Sequence, residues 1–103
     1  MRKLFIGIIT LLLTLGFVQV SFAKGSIEAG KSKSIHCQIC HGKGGKSFNP
    51  LYPVLAGQHA QYIVKQLKAF QKKERTNPIM NEIAAPLTAQ DMEDLGRFFQ
   101  SNQ

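Results

Sequence analysis

No segment of the sequence alternates apolar and polar residues with period two for long enough to make a strand, so the expected fold class is all-α. After residue 23 there is no internal repeat, low-complexity tract or Gly/Ser linker, and a single domain is expected. With 103 residues, the chain is too short for a Rossmann dehydrogenase, a barrel enzyme or a two-lobed catalytic fold. Acidic residues are scarce, 6 Asp plus Glu against 13 Lys plus Arg. No basic-aromatic array accompanies the positive charge, which argues against nucleic-acid binding. Cysteine is scarcer still: there are two, so any thiol chemistry has to come from one pair.

The apolar residues are concentrated at the front. Arg2 and Lys3, the apolar run from Leu4 to Val20 and the small-x-small tripeptide Ser21-Phe22-Ala23 read as an export signal over residues 1–23, cleaved before Lys24. The run approaches the roughly 20 residues of a spanning helix, so an uncleaved anchor is the competing reading. Gly7, Thr10, Thr14, Gly16 and Gln19 dilute it. On either reading the domain leaves the cytoplasm. Residues 24–103 keep 11 of the Lys and Arg and all 6 acidic residues, a balance of +5. A domain this small buries little apolar surface and commonly draws on a metal, a disulfide or a bound group for stability.

Three main helices are expected in residues 24–103. Ser26 can cap a first helix of about ten residues carrying Ile27, Ala29 and Ile35 and ending near His36. A second begins near His59, where Tyr62, Ile63, Leu67 and Phe70 recur at helical spacing. A third starts at Thr88, with Asp91 completing a capping box, Leu87 and Met92 placed as a staple, and Met92, Leu95, Phe98 and Phe99 as its buried stripe. Between them, Gly42 to Gly45, Asn49-Pro50, Tyr52-Pro53 and Asn77-Pro78 read as turns and breakers in long irregular connections. Loops of that length in so small a domain need something to pack against.

Cys37-Gln38-Ile39-Cys40-His41 supplies it. Two thiols three residues apart on one helical turn can add to the two vinyl groups along one side of a porphyrin, and the next residue then lies under the metal, which is the attachment signature of c-type haem. His41 would be the proximal ligand, its other ring nitrogen donating to a backbone carbonyl. The alternatives are a Cys37–Cys40 disulfide, which closes little chain entropy, a thioredoxin-like pair without its βαβ context, and a zinc site without a second ligand pair. For the sixth ligand, Met80 reads as lying in a loop before the last helix, free to meet the open iron face. Met92 reads as core, His36 is tethered on the proximal side, and His59 reads as solvated.

With these residues in view, the chain resembles a class I cytochrome c of the small, single-domain, monohaem bacterial type, similar to one half of the two-domain dihaem cytochromes c. The likeness runs from about Ser26 to Ser101 through Cys37-Gln38-Ile39-Cys40-His41-Gly42, Tyr52-Pro53-Val54-Leu55-Ala56-Gly57-Gln58, Tyr62 to Phe70, Asn77-Pro78-Ile79-Met80 and Pro86-Leu87-Thr88. It implies that Cys37 and Cys40 form thioethers to one haem c, that His41 and Met80 are the axial ligands, and that the Pro53 carbonyl accepts from His41. It further implies that Leu55, Tyr62 and Phe70 line the haem pocket, and that Gly30 lets Phe98 or Phe99 approach closely.

Filled axial positions leave electron transfer as the expected function, with no enzymatic activity and the periplasm as the expected compartment. Lys31, Lys33, Lys43 and Lys46 beside the motif, and Lys65, Lys68, Lys72 and Lys73 on one helix, would steer the carrier toward acidic redox partners. No membrane insertion is expected after signal removal. A five-coordinate haem protein that binds peroxide, nitric oxide or carbon monoxide is the alternative, and a haemless structural or redox module is a third class.

Overall fold

A computed structural model of the protein describes residue 7, residues 9–16 and residues 24–103. Arg2, Lys3 and Ser21-Phe22-Ala23, on which the export-signal reading rests, lie outside the described residues. Among the described residues there are five α-helices and no strand: α1 (Ile27–Lys33), α2 (Ile35–His41), α3 (Ala60–Gln71), α4 (Pro78–Ala84) and α5 (Ala89–Ser101). None is long and apolar enough to cross a membrane.

The expected first helix is two helices. Ser26 caps α1 by accepting from the Ala29 N–H at 3.2 Å. At Ser34 the chain tightens: its N–H reaches both the Gly30 and Lys31 carbonyls, at 2.9 and 3.3 Å, and its hydroxyl donates to Lys31 at 2.8 Å. Ser34 is completely buried at this joint. The helix resumes as α2 and runs five residues beyond the expected end at His36, to His41. Periodicity did not reveal this because Ile35 and Ile39 are exposed, so α2 has no apolar stripe that covers the core.

The segment holding Met80 also differs from expectation. Met80 lies in the first turn of α4, not in a loop. Asn77-Pro78 ends the connection after α3, but it also begins a helix. The Asn77 side chain accepts from the N–H groups of Ile79 and Met80 at 3.0 and 2.9 Å, and Pro78 takes the first helical position, where it needs no N–H.

The core forms where α5 is crossed by α1 and flanked by α3. Ile63, Val64 and Leu67 of α3 pack with Met92, Leu95, Phe98 and Phe99 of α5, the stripe read from the sequence. The capping box is present, with Thr88 accepting from the Asp91 N–H at 3.0 Å and Asp91 from the Thr88 N–H at 2.9 Å. Gly30 marks the α1–α5 crossing. A Cβ there would stand 2.0 Å from the Asp94 carbonyl oxygen and 2.7 Å from the Phe98 Cβ, so the close neighbours are the Asp94 backbone and Phe98, not Phe99.

Buried Asp94 ties the same crossing electrostatically. It accepts from the Ser26 N–H at 2.8 Å, from Lys33 Nζ at 2.6 Å and from Gln90 at 2.9 Å, while Lys33 also pairs with Asp91 at 2.9 Å. Lys33 is therefore engaged within the fold rather than free to steer a partner. Burial alone would raise the Asp94 carboxyl, but the bonds from Lys33, Ser26 and Gln90 outweigh it and hold it below the usual carboxylate range. The same contacts push the Lys33 ammonium up. The Asp94 contribution to stability is present above the unfolded carboxylate pKa of about 3.9 and disappears as pH falls through the lowered folded value. The Lys33 contribution persists through neutral pH and is lost as pH rises through the raised lysine value. In acid titrations of unfolding, Asp94→Asn should start less stable at neutral pH and lose part of the acid-induced drop. An unchanged acid limb would show that the carboxylate does not carry it.

Candidate functional site

On α2, Cys37, Cys40 and His41 stand at positions i, i+3 and i+4, which places them on one helical face, while Ile39 between them points to solvent. Gln38 fixes the helix end. Its amide donates to Ser34 Oγ at 2.7 Å, and its carbonyl oxygen accepts from the Gly44 N–H at 2.8 Å, joining α2 to the short 3-10 turn Lys43–Gly45. That turn needs glycine. Gly45 has φ +83°, and a Cβ there would meet the Ala56 nitrogen and a Phe99 ring carbon, each at 2.8 Å. The Gly45 carbonyl accepts from the N–H groups of Leu55 and Ala56 at 2.8 and 3.1 Å, which pins the loop ahead of α3 back against the turn.

This pinning brings Pro53 to His41. His41 Nδ1 lies 2.8 Å from the Pro53 carbonyl oxygen. A carbonyl can only accept, so Nδ1 carries the proton and donates, leaving the lone pair on Nε2. Nε2 has no hydrogen-bond partner among the described residues, and His41 is buried, 8% exposed, with its ring edge-on to Tyr52. Burial also pushes the Cys37 thiol up. Cys37 and Cys40 are not joined to each other.

All eight residues singled out in the sequence line one cleft of about 650 Å³. Cys37, Cys40 and His41 come from α2, Pro53 and Leu55 from the pinned loop, Tyr62 and Phe70 from α3, and Met80 from α4. The helices α2 and α4 do not touch, and the cleft separates them. Its surface is mostly apolar, with Leu67, Ile79, Ile83 and Leu95 adding to the wall. The other sequence candidates divide clearly. Met92 is 1% exposed in the core and does not reach the cleft. His59 is exposed at the start of α3, away from it, as its solvated reading expects, and His36 is an exposed residue at its edge.

A large, flat, apolar group with a metal at its centre fits this cleft. Two thiols stand at one wall, an oriented imidazole has its lone pair free, and a thioether comes from a separate element. Sequence reasoning missed the polar residues around it. Arg75 lies over the Phe70 ring at 4.6 Å and donates to Gln66 at 2.7 Å. Asn81 and Gln71 join α4 to α3. An amide that clamps two helices looks the same in a sequence as one that is merely solvated, so no signal marked them.

The family model described as Cytochrome c matches residues 27–103. Cytochrome c4 of Pseudomonas aeruginosa is 36% identical over 96 residues, covering 93% of this chain and 48% of the relative. Cytochrome c-554(548) of Halomonas halodenitrificans is 33% identical over 82 residues, covering 77% of this chain and 99% of the relative. A solved structure of Acidithiobacillus ferrooxidans cytochrome c4, described as supporting a complex-induced tuning of electron transfer, superposes with a TM-score of 0.65 at 34% identity, covering 76% of this chain and 51% of that one. The chain spans about half the length of the cytochrome c4 relatives. It belongs to the cytochrome c family, and its cofactor is one covalently bound haem c with its iron. Family membership decides between haem and the disulfide, thioredoxin and zinc readings of the cysteine pair.

Proposed function

We propose that the protein is a periplasmic one-electron carrier, exported by residues 1–23 and acting as residues 24–103. The observation that carries this reading is the cleft itself: His41, with Nδ1 committed to Pro53 and Nε2 free, and Met80, on a helix of its own, line the same apolar space from separate elements. In this reading Cys37 and Cys40 hold the haem through thioethers, His41 and Met80 are the axial ligands, and Leu55, Tyr62 and Phe70 pack on the ring. Bound haem supplies a ferrous/ferric couple.

The chain's own residues set how that couple behaves. The Pro53 carbonyl holds the His41 ring in one tautomer and orientation, so the ligand does not rearrange when the charge changes. A thioether donor and apolar walls favour the ferrous state and hence a higher potential. Held from both sides by His41 and Met80, the metal would offer a substrate no place, which would separate a carrier from an enzyme. The electron transfer named for the Acidithiobacillus ferrooxidans relative supports the same activity here. Partners are redox proteins that present acidic surfaces to the exposed lysines, Lys33 excepted; nucleic acid is not among them, and the mature domain does not insert into a membrane.

Mass spectrometry of the exported protein tests this directly. The expected product is a chain that begins at Lys24 and carries one haem that survives denaturation. Cys40→Ala should lose the stable two-point attachment and fold poorly, because the cleft then lacks its centre. A well-folded, haem-free Cys40→Ala protein would remove the basis of the proposal.

A further inference from the structure

The helix that bears Met80 is the one least supported by the core. It has seven residues, of which only Ala84 is buried, and a helix this short is unstable in water without tertiary support. Polar side chains supply that support. Next to Met80, the Asn81 amide nitrogen donates to the carbonyls of Phe70 at 2.8 Å and Arg75 at 2.9 Å, at and just beyond the end of α3. Its amide oxygen accepts from the Asn77 N–H at 2.8 Å, closing the turn that starts α4. At the far end, the Gln71 amide nitrogen reaches carbonyls at and just beyond the end of α4, Leu87 at 2.7 Å, Ala84 at 3.1 Å and Ala85 at 3.3 Å.

We propose that Asn81 and Gln71 are positioning residues for Met80: the two amide clamps fasten α4 to the end of α3 and so set how readily the thioether leaves its ligand position. This inference rests on the reading of Met80 as an axial ligand. The half-buried Met80 side chain cannot move far from the cleft while α4 stays on α3. Withdrawal by displacement of α4 breaks the clamps, and removing them in advance makes that displacement easier.

The test is titration of the ferric holoprotein with imidazole, followed through the weak charge-transfer band of methionine-ligated haem. Asn81→Ala and Gln71→Ala should each keep the band without imidazole and raise the apparent imidazole affinity about fivefold or more, the worth of one net hydrogen bond. Thr88→Ala is the control. It removes the cap of α5 and lowers global stability, but should leave imidazole affinity near the wild-type value. Clamp variants that bind imidazole like wild type, or a Thr88→Ala that gains as much as they do, would overturn the inference, the second by making the effect a general loosening. If Asn81→Ala does not fold, Gln71→Ala decides by the same measure. A Met80→Ala protein that keeps the band would refute the axial reading itself, whereas clamp variants without effect beside a bandless Met80→Ala refute only the clamps.

Discussion

Met80→Ala should keep its haem but open one axial position. The ferric protein then loses the methionine charge-transfer band, the ferrous protein binds carbon monoxide rapidly, and the reduction potential falls. Replacing a thioether by water or an external donor favours the ferric state, and a drop on the order of 0.2 V is a reasonable share of the about 0.8 V over which axial ligands and surroundings tune haem. Met80 lines the cleft, whereas Met92 is 1% exposed among core side chains and would have to leave them to take its place. A retained native spectrum would mean that the sixth ligand is another residue. Rapid carbon monoxide binding by the wild-type protein would instead favour the five-coordinate alternative.

Gly30→Ala should be among the most damaging single substitutions outside the haem ligands. In an isolated helix the change would help by roughly 1 kcal/mol. Here the new Cβ would stand 2.0 Å from the Asp94 carbonyl oxygen, which is backbone and cannot rotate away. Separating α1 from α5 would also stretch the bonds from Ser26 and Lys33 to Asp94. Overpacking commonly costs about 1–3 kcal/mol, and the loss of these bonds adds to it, so a net destabilisation of about 3 kcal/mol or more is expected. Urea unfolding of the holoprotein measures it. A midpoint within error of wild type would show that the crossing can relax without cost.

Much of this architecture is legible in the sequence where a local rule has a local cause. Thr88 and Asp91 announce the start of α5, and the spacing of Met92, Leu95, Phe98 and Phe99 announces its buried face, because capping and periodicity depend on neighbours along the chain. The joint at Ser34 is not legible: a buried hydroxyl between two helices is written in the same letter as a solvated one. Asn77-Pro78 reads as a stop but is both a stop and a start, which hides α4 and puts Met80 in a loop. For the cleft, Cys37, Cys40 and His41 stand out through their spacing, and Met80 through elimination. Pro53, Leu55, Tyr62 and Phe70 come only through family likeness, since nothing in their local sequence says which face of the molecule they reach. Asn81, Gln71, Gln38 and Arg75 act through contacts 6 to 16 residues away, and patterns of neighbours do not encode such contacts.

The crossing of α1 and α5 has a consequence for biosynthesis. Asp94 holds Ser26 from 68 positions further along the chain, so α1 acquires its partner only when α5 has been made. Pairings at such separation are slow to form and cannot be anticipated by a partial chain. A ribosome still adding α5 therefore carries a polypeptide with no completed core.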